Sequence, residues 1–425
     1  MKIGFVVHFF DFRNDVRRLI TEVAKTNEVV LFVKSQDLDN IKKFNIQNVS
    51  IRVINEKIPS LRNRLLGQIY FFFKKLPKST QNFYLMEYFK INNLKKGNKA
   101  AKKRLDWVKR LPKIMDYDSY LSKLSFSEKT NIRNLDRIIF FTEIADDFFL
   151  SRCIKENLEI FVYAYSWDHA YKHTRFSNRV KYLTWSDGTK QDIIDLQGID
   201  KNRIKVWGSG QFAYIHEVNN TIKEMSRSFE ERYIYYVCAI GIEPLVPDEI
   251  NIIKTINSII KQNAPELNFV VRPYPVLDNW DYYEELRSLG IILDDDFRTQ
   301  NLSIEEDSIF RKFEKIHNAE LLLHLGTTMG LEASFFKTPT LLIDFGYDKS
   351  IDKALSINNF VHQGQNDKYL VKKSKRQWIQ NENELLYWLE MVVNSNATNC
   401  NQNHIISEQF NLRSFESLAK DLIDI

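Results

Sequence analysis

Glu332 follows the loop Gly326-Thr327-Thr328-Met329-Gly330 by two residues, and this pairing is the most chemically suggestive stretch of the chain. Glycines and threonines at a helix N-terminus offer backbone N–H groups, hydroxyls and a positive dipole end, all suited to phosphate. A carboxylate in the first turn of that helix would reach a neighbouring hydroxyl, such as one on a ribose. The same residues also fit an ordinary strand–turn–helix corner with a solvated glutamate, because glycine turns are common there. Other side chains able to do chemistry recur just after apolar runs. His8 and Asp11 lie in the loop His8–Asn14, Asp168 and His169 follow Glu159–Tyr165, and Arg272 ends Leu267–Arg272. Asp168, Asp11, His8 and Glu143 are the candidates for a general base, with His169 beside the first of them. Asp168 also fits a helix cap, as does Asp187. His169 and His173 have the i, i+4 spacing of metal ligands but no evident third ligand, so no metal is expected. The strings Asp116-Tyr117-Asp118 and Asp294-Asp295-Asp296 read as surface loops.

The elements that would position these residues follow an α/β rhythm. Lys2–Val7, a helix over Asp15–Lys25 and Glu28–Val33 form an opening βαβ unit, without a G-x-G-x-x-G fingerprint. Val49–Ile54 is a further strand. After a basic segment the rhythm resumes with strands Asp136–Thr142, Glu159–Tyr165, Lys181–Trp185 and Ile204–Trp207. Polar Asn219–Arg232 reads as a linker. A second series has strands at Tyr233–Ile240, ending at Gly241, then Leu267–Arg272, Ile291–Leu293, Ala319–Leu325 and Thr340–Phe345. His324 interrupts the apolar run that leads into the glycine loop. Helices are expected at Asp248–Asn263, Tyr282–Leu289, Ile304–His317, Glu382–Asn394 and Ser407–Ile425. The division is therefore residues 1–218, a linker 219–232, a second domain 233–400 and a closing helix 401–425. Chemistry at strand ends places it on the carboxyl edge of parallel sheets, where open α/β sheets bind ligands.

Charge is concentrated rather than spread. Residues 57–113 hold 16 Lys/Arg against Glu87 and Asp106, a balance of +14 that leaves −9 for the rest of a chain carrying +5 overall. The basic residues are mixed with apolar and aromatic ones in Leu61–Lys78 and Asn93–Lys113. That mixture suits an anionic membrane surface, each basic residue adding about 1 kcal/mol. It equally suits a helix pair with core aromatics and solvated lysines. No nucleic-acid motif is present, so a nucleic-acid partner is not expected. The longest apolar run among the aromatics, Ile69–Phe73, falls far short of the roughly 20 residues of a membrane span. The N-terminus reads as a first strand, not a signal peptide. Cys153, Cys238 and Cys400 lack metal-like spacing and read as reduced thiols. A cytoplasmic protein, soluble or peripheral on the inner membrane face, is expected.

Two successive α/β halves with chemistry at their edges resemble a GT-B glycosyltransferase. Gly326–Asp344, GTTMGLEASFFKTPTLLID, is similar to the G-T-x-x-G-x-E-A…P element of bacterial surface- and capsular-polysaccharide transferases. Tyr165-Ser166-Trp167-Asp168-His169 is similar to a Y-S-W-D-N segment of surface-carbohydrate biosynthesis proteins. The run from Trp185-Ser186 to Val206-Trp207-Gly208-Ser209-Gly210-Gln211-Phe212 resembles a tryptophan-containing strand, helix and V-x-G-x-x-x-F strand end of that group. Val270–Pro275 resembles its R-x-H-P turn. The resemblance covers about residues 136–345. His169 stands where Asn is usual and Tyr274 where His is usual, and the loop after Gly210 lacks the usual Asp. These departures suggest a different donor or acceptor.

The resemblance implies two Rossmann-like domains with parallel sheets facing across a cleft. The C-terminal domain would hold a nucleotide-sugar donor and the N-terminal domain a glycan or lipid-linked glycan acceptor. Gly326, Thr327, Thr328 and Gly330 would then face the diphosphate, Glu332 the ribose, and Arg272 the charge of the leaving phosphate, with Gly241 and His324 on the donor side. No cofactor or metal is required for that chemistry. The implied activity is glycosyl transfer to a growing bacterial surface glycan. A polyol-phosphate transferase of the teichoic-acid type, a nucleotide-sugar 2-epimerase and a non-enzymatic binding protein are the alternatives.

Overall fold

A computed structural model describes residues 1–8, 12–55, 60–75, 107–108, 110–126, 130–141, 147–173, 175–219, 221–275, 277–298, 306–349, 356–363, 378–394 and 410–425. The described residues form two compact units. Unit 1 takes those of Met1–Tyr88, Lys99–Ala213 and Leu412–Ile425, and unit 2 those of Tyr214–Asn411. Asp11 and Glu143 lie outside the described residues, as does most of the basic segment. No helix among the described residues is long and apolar enough to cross a membrane.

Unit 1 is built on seven strands: β1 (Lys2–Val6), β2 (Glu28–Lys34), β3 (Val49–Ile54), β4 (Arg137–Phe140), β5 (Glu159–Tyr163), β6 (Lys181–Thr184) and β7 (Ile204–Val206). They pair in the order β3-β2-β1-β4-β5-β6-β7, every pair parallel, with Phe5 opposite both Leu31 and Ile139. The direction of winding reverses between β1 and β4, so the loops after those strands open at a topological switch point. Helices on the faces explain why the central strands are almost wholly apolar. The Asn14–Ala24 helix buries Val16, Leu19, Ile20 and Val23, the spacing of one helical stripe. Ser186 caps the Asp187–Gln197 helix. Its hydroxyl accepts from the Thr189 N–H at 3.2 Å and the Thr189 hydroxyl accepts from the Ser186 N–H at 2.9 Å, so the cap is Ser186 and not Asp187.

Unit 1 also includes the last described helix, Phe415–Asp424. The Trp207 indole donates to the Leu418 carbonyl at 3.0 Å, and Arg413 donates to the Trp207 carbonyl at 2.9 Å. Arg137 donates to the carbonyls of Leu422 and Ile423. Gly208, at φ +120°, lets Leu418 approach to 3.0 Å of where a side chain would begin.

Unit 2 has six strands: β8 (Tyr233–Val237), β9 (Asn268–Arg272), β10 (Ile292–Leu293), β11 (Leu321–His324), β12 (Thr340–Ile343) and β13 (Trp378–Ile379). Their order is β10-β9-β8-β11-β12-β13, again all parallel, with Leu323 opposite both Tyr236 and Leu341. The switch point lies between β8 and β11. Gly241 follows the first of these and Gly326 the second. The polar stretch Asn219–Arg232 belongs to unit 2. Ile222 is buried and the Ser228 N–H donates to Glu314 at 3.1 Å.

In the two acidic strings read as surface loops, one residue of each is drawn inward. Asp116 caps the Tyr117–Lys123 helix, accepting from the Ser119 N–H at 2.7 Å, while Tyr117 is core. Asp294 is 2% exposed and pairs with the buried Lys315 ammonium at 2.5 Å, which also bonds Asp296 at 2.6 Å. A buried carboxylate needs such a partner. Asp295 and Asp296 remain exposed, as expected of a surface loop.

Candidate active site

The carboxyl edge of unit 2 gathers the donor-side candidates around two loops, each held from below by a buried polar side chain. Beneath the β11 loop lies His324, with no exposed surface. Its Nδ1 accepts from the Gly326 N–H at 2.9 Å and the Thr327 N–H at 3.4 Å. Accepting there makes Nδ1 the unprotonated nitrogen, so the neutral ring carries its proton on Nε2. Burial pushes the imidazole down to about 3. His324 therefore holds the loop from below. Two of the N–H groups expected to face a phosphate are turned to it instead. The Thr327 hydroxyl caps the Thr328–Phe335 helix by accepting from the Met329 N–H at 3.4 Å. Thr327 and Thr328, both partly exposed, are left as the residues of this loop best placed to meet an anion.

Because the helix begins at Thr328, Glu332 is its fifth residue and sits in the second turn, not the first. It is 3% exposed. Its Oε1 receives the Lys312 ammonium at 2.8 Å, from the Glu306–Asn318 helix, while its Oε2 is buried without a hydrogen-bond partner among the described residues. Arg272, at the end of β9, is buried with its guanidinium against the Met329 sulfur, so the structure brings it to the same loop. The β8 loop is packed just as closely. A side chain on Gly241 would begin 2.6 Å from the Tyr274 ring, so only glycine lets that ring close on the backbone.

Glu249 supports the β8 loop as His324 supports the other. It accepts from the Ala239 N–H at 3.0 Å and the Ile240 N–H at 3.2 Å, with the Tyr236 and Tyr283 hydroxyls each at 3.4 Å. Burial holds its carboxyl up at about 7. In the sequence it falls in the expected helix Asp248–Asn263 with no role assigned to it. The signal was a glutamate on the apolar face of the first turn.

These two groups make opposite contributions to stability. His324 stabilises fully above its unfolded pKa of about 6.5 and loses that contribution as pH falls toward 3. Glu249 stabilises fully below about 4.5 and loses that contribution as pH rises through about 7. Between pH 4.5 and 6.5 the slopes, each about 1.4 kcal/mol per pH unit, cancel. In His324→Asn, whose amide oxygen can still accept from Gly326, stability should fall with pH across that window. In Glu249→Gln it should rise. Denaturant titrations at pH 4.5, 5.5 and 6.5 check this, and parallel profiles for all three proteins would contradict it.

A further group missed in the sequence stands at the end of β12. Asp344 is 3% exposed and accepts from His362 Nε2 at 2.7 Å and from the Tyr347 hydroxyl, with Lys349 at 3.6 Å. A cavity of about 140 Å³, lined by Asp248, Asn251, Gly346, Tyr347, Ser356 and Ile357, adjoins it. Asp344 stands in the sequence as a lone carboxylate within the largely apolar run Thr340–Phe345, and His362 lies 18 residues away, so nothing local marks the pair.

In unit 1, the Tyr165–His169 segment follows β5. Asp168 is buried and accepts from the Ser166 hydroxyl. Although it stands at the N-cap of the His169–Lys172 turn, it makes no cap hydrogen bond. His169 is buried with its ring 4.4 Å from that of His173 and edge-on to Tyr165 and Phe176. No group of three potential metal ligands occurs among the described residues. His8 pairs with Asp37 across 3.3 Å, after β2. Arg13 ties three edge loops together. It lies 3.5 Å from Asp15 and 5.8 Å from the Tyr165 ring centroid, and with the Gln211 amide turned so that its oxygen faces the guanidinium it donates there at 2.6 and 3.0 Å.

No protein-family model and no curated protein matches the chain. Among solved structures it is similar to UDP-GlcNAc 2-epimerase from Methanocaldococcus jannaschii, at 12% identity over 100% of both chains with a TM-score of 0.50. The same enzyme in complex with UDP-GlcNAc and UDP gives the same values. The wall teichoic acid polymerase TagF matches at 9% identity over 100% of this chain and 87% of its own, with a TM-score of 0.50. These likenesses, with the two parallel sheets, establish an α/β fold of two Rossmann-like units of the GT-B type.

Proposed function

We propose that this chain is a nucleotide-sugar-dependent glycosyltransferase that extends a bacterial surface glycan at the cytoplasmic membrane face. The observation that carries the reading is Glu332, which keeps one buried carboxylate oxygen without a hydrogen-bond partner among the described residues, beside a glycine-threonine loop at the switch point of unit 2. An acceptor-only group in that position suits the hydroxyls of a ribose. Thr327 and Thr328 would bond the diphosphate, and Arg272 would neutralise it as it leaves. Unit 1 would bind the acceptor. Its hydroxyl oxygen forms the new bond to the anomeric carbon, the bond from that carbon to the diphosphate oxygen breaks, and Asp168 takes the hydroxyl proton. The fold it shares with an enzyme solved with UDP-GlcNAc and UDP supports a nucleotide-sugar ligand.

A 2-epimerase reading draws on the same likeness, and a polyol-phosphate transferase on the likeness to TagF. A thermal-shift screen against UDP-, GDP-, CMP- and CDP-linked donors identifies the nucleotide by mass action. No shift with any of them would remove the nucleotide-sugar reading. Product analysis with that donor then separates the classes. An epimerase converts the free nucleotide sugar, whereas a transferase releases nucleotide only with acceptor. Asp168→Asn is expected to lower turnover about 100-fold or more with the donor shift unchanged, as for loss of a general base. Unaltered turnover would remove Asp168 from the mechanism.

A further inference from the structure

The helix Leu61–Phe73 in unit 1 has two opposed faces. Asn63 and Tyr70 point inward. Asn63 bonds Ser125, and Tyr70 stacks on Tyr120 at 4.4 Å within the core of the unit. The other face carries Leu61, Leu65, Ile69 and Phe72, at the i, i+4, i+8, i+11 spacing of a helical stripe. Leu61 is 84% exposed, Leu65 56% and Ile69 38%. Trp107, 54% exposed, meets the edge of the Phe72 ring at 5.8 Å and extends the stripe. Ile114, 71% exposed, is joined to the helix end through its N–H to the Phe73 carbonyl. Five of the nine exposed large apolar side chains among the described residues thus fall in one patch. A soluble monomer rarely leaves so many together.

The residues around the patch are cationic. Arg62 and Arg64 flank the stripe, and Lys75 and Arg110 stand exposed near its far end. Lys113 is fastened to the helix terminus, donating to the carbonyls of Phe72 and Val108 at 3.1 and 2.8 Å. The stretch 57–113 as a whole carries +14. An apolar stripe with cationic flanks on a helix whose other face is anchored in a folded domain is the arrangement of an interfacial helix.

We infer that this face docks on an anionic lipid bilayer. The Leu61–Phe73 helix lies in the plane of the interface, with Leu61, Leu65, Ile69 and Trp107 in the headgroup–acyl boundary and Arg62, Arg64, Lys75 and Arg110 among the headgroups. The charge of the segment selects an anionic lipid surface over an apolar protein partner. This inference rests on the surface itself and not on the donor chemistry of unit 2.

Co-flotation of the full chain with phosphatidylcholine vesicles, with and without one-third phosphatidylglycerol, tests it. Binding is expected only to the anionic vesicles, and high salt should weaken it. Leu65→Ser/Ile69→Ser, which alters only exposed positions, should reduce partitioning at least about tenfold. Arg62→Gln and Arg64→Gln should each reduce it roughly fivefold, the equivalent of about 1 kcal/mol. Trp107 fluorescence should be quenched by bromine-labelled lipid in the parent protein and not in the double-serine variant. Absence of flotation at low salt overturns the proposal, as does flotation that the apolar variant leaves unchanged. Equal binding to neutral vesicles overturns the role of charge. A dimer in solution that the double-serine variant dissolves would assign the face to a second copy instead. Donor-induced thermal shifts should be the same in parent and variants, so failure here is distinguishable from failure of the donor assignment.

Discussion

Glu332→Leu is expected to cost unit 2 about 3–5 kcal/mol and to abolish the donor-induced thermal shift. The stability loss follows from Lys312, whose side chain is 12% exposed and which meets Glu332 at 2.8 Å. Without the carboxylate, the ammonium loses this ion-pair partner in a low-dielectric site. The double variant Lys312→Met/Glu332→Leu replaces the pair with apolar side chains of similar volume, and such replacements are often neutral or stabilising. Stability should therefore return in the double variant while donor binding stays lost. That contrast separates the two roles of the carboxylate, one oxygen holding Lys312 and the other available to a ligand. Denaturant titration reads the first and a donor thermal shift the second. A double variant that is stable and binds donor as the parent does would reduce Glu332 to a structural residue.

Gly330→Ala should be nearly as damaging although it adds one methyl group. That methyl would stand 2.7 Å from His324 Nε2 and 2.8 Å from Cε1. A ring with no exposed surface has little room to retreat. Overpacking of this kind costs about 1–3 kcal/mol. If the ring moves, the Gly326 N–H loses its acceptor, another cost of about 1–3 kcal/mol. Gly326 holds φ at +106°, a conformation suited to glycine, and it depends on that hydrogen bond. A drop of roughly 10 °C in the Tm of unit 2 is expected, with loss of donor affinity. Gly330→Ala/His324→Ser removes the clash but not the need for an acceptor under the loop. It should regain part of the Tm and little of the affinity. An alanine variant that melts and binds as the parent would show that His324 does not hold the loop.

These two effects show what local sequence carries and what it does not. The apolar runs of β8, β11 and β12 were legible because strands buried on both faces need no polar alternation. Gly326–Gly330 stood out because glycine and threonine mark a turn by composition. Lys312, by contrast, precedes Glu332 by 20 residues on another helix, and its pairing exists only once the two helices pack. His324 looked like a polar interruption of a strand, and nothing nearby shows that its ring accepts from the loop that follows. The Gly210–Val218 helix begins within the stretch expected as a strand end, because Gly208 and Gly210 suggest turns and Phe212-Ala213-Tyr214-Ile215 has no helical alternation. β13, at two residues, is too short for any pattern. The run Asp294–Asp296 has the composition of a solvated loop, and the buried Lys315 beneath it is visible only in three dimensions.

The return of the Phe415–Asp424 helix to unit 1 has a bearing on how the chain is made. Arg413 and Leu418 complete contacts with Trp207, and Arg137 finds acceptors at Leu422 and Ile423. On a ribosome, all of these partners emerge only after the whole of unit 2 has been translated. Domains generally fold in order of synthesis, but unit 1 must wait with the flank of Trp207 uncovered while unit 2 is made. The first unit begun is then the last one finished. A nascent chain stalled before Arg413 would hold a nearly complete sheet with the flank of Trp207 and Gly208 still open.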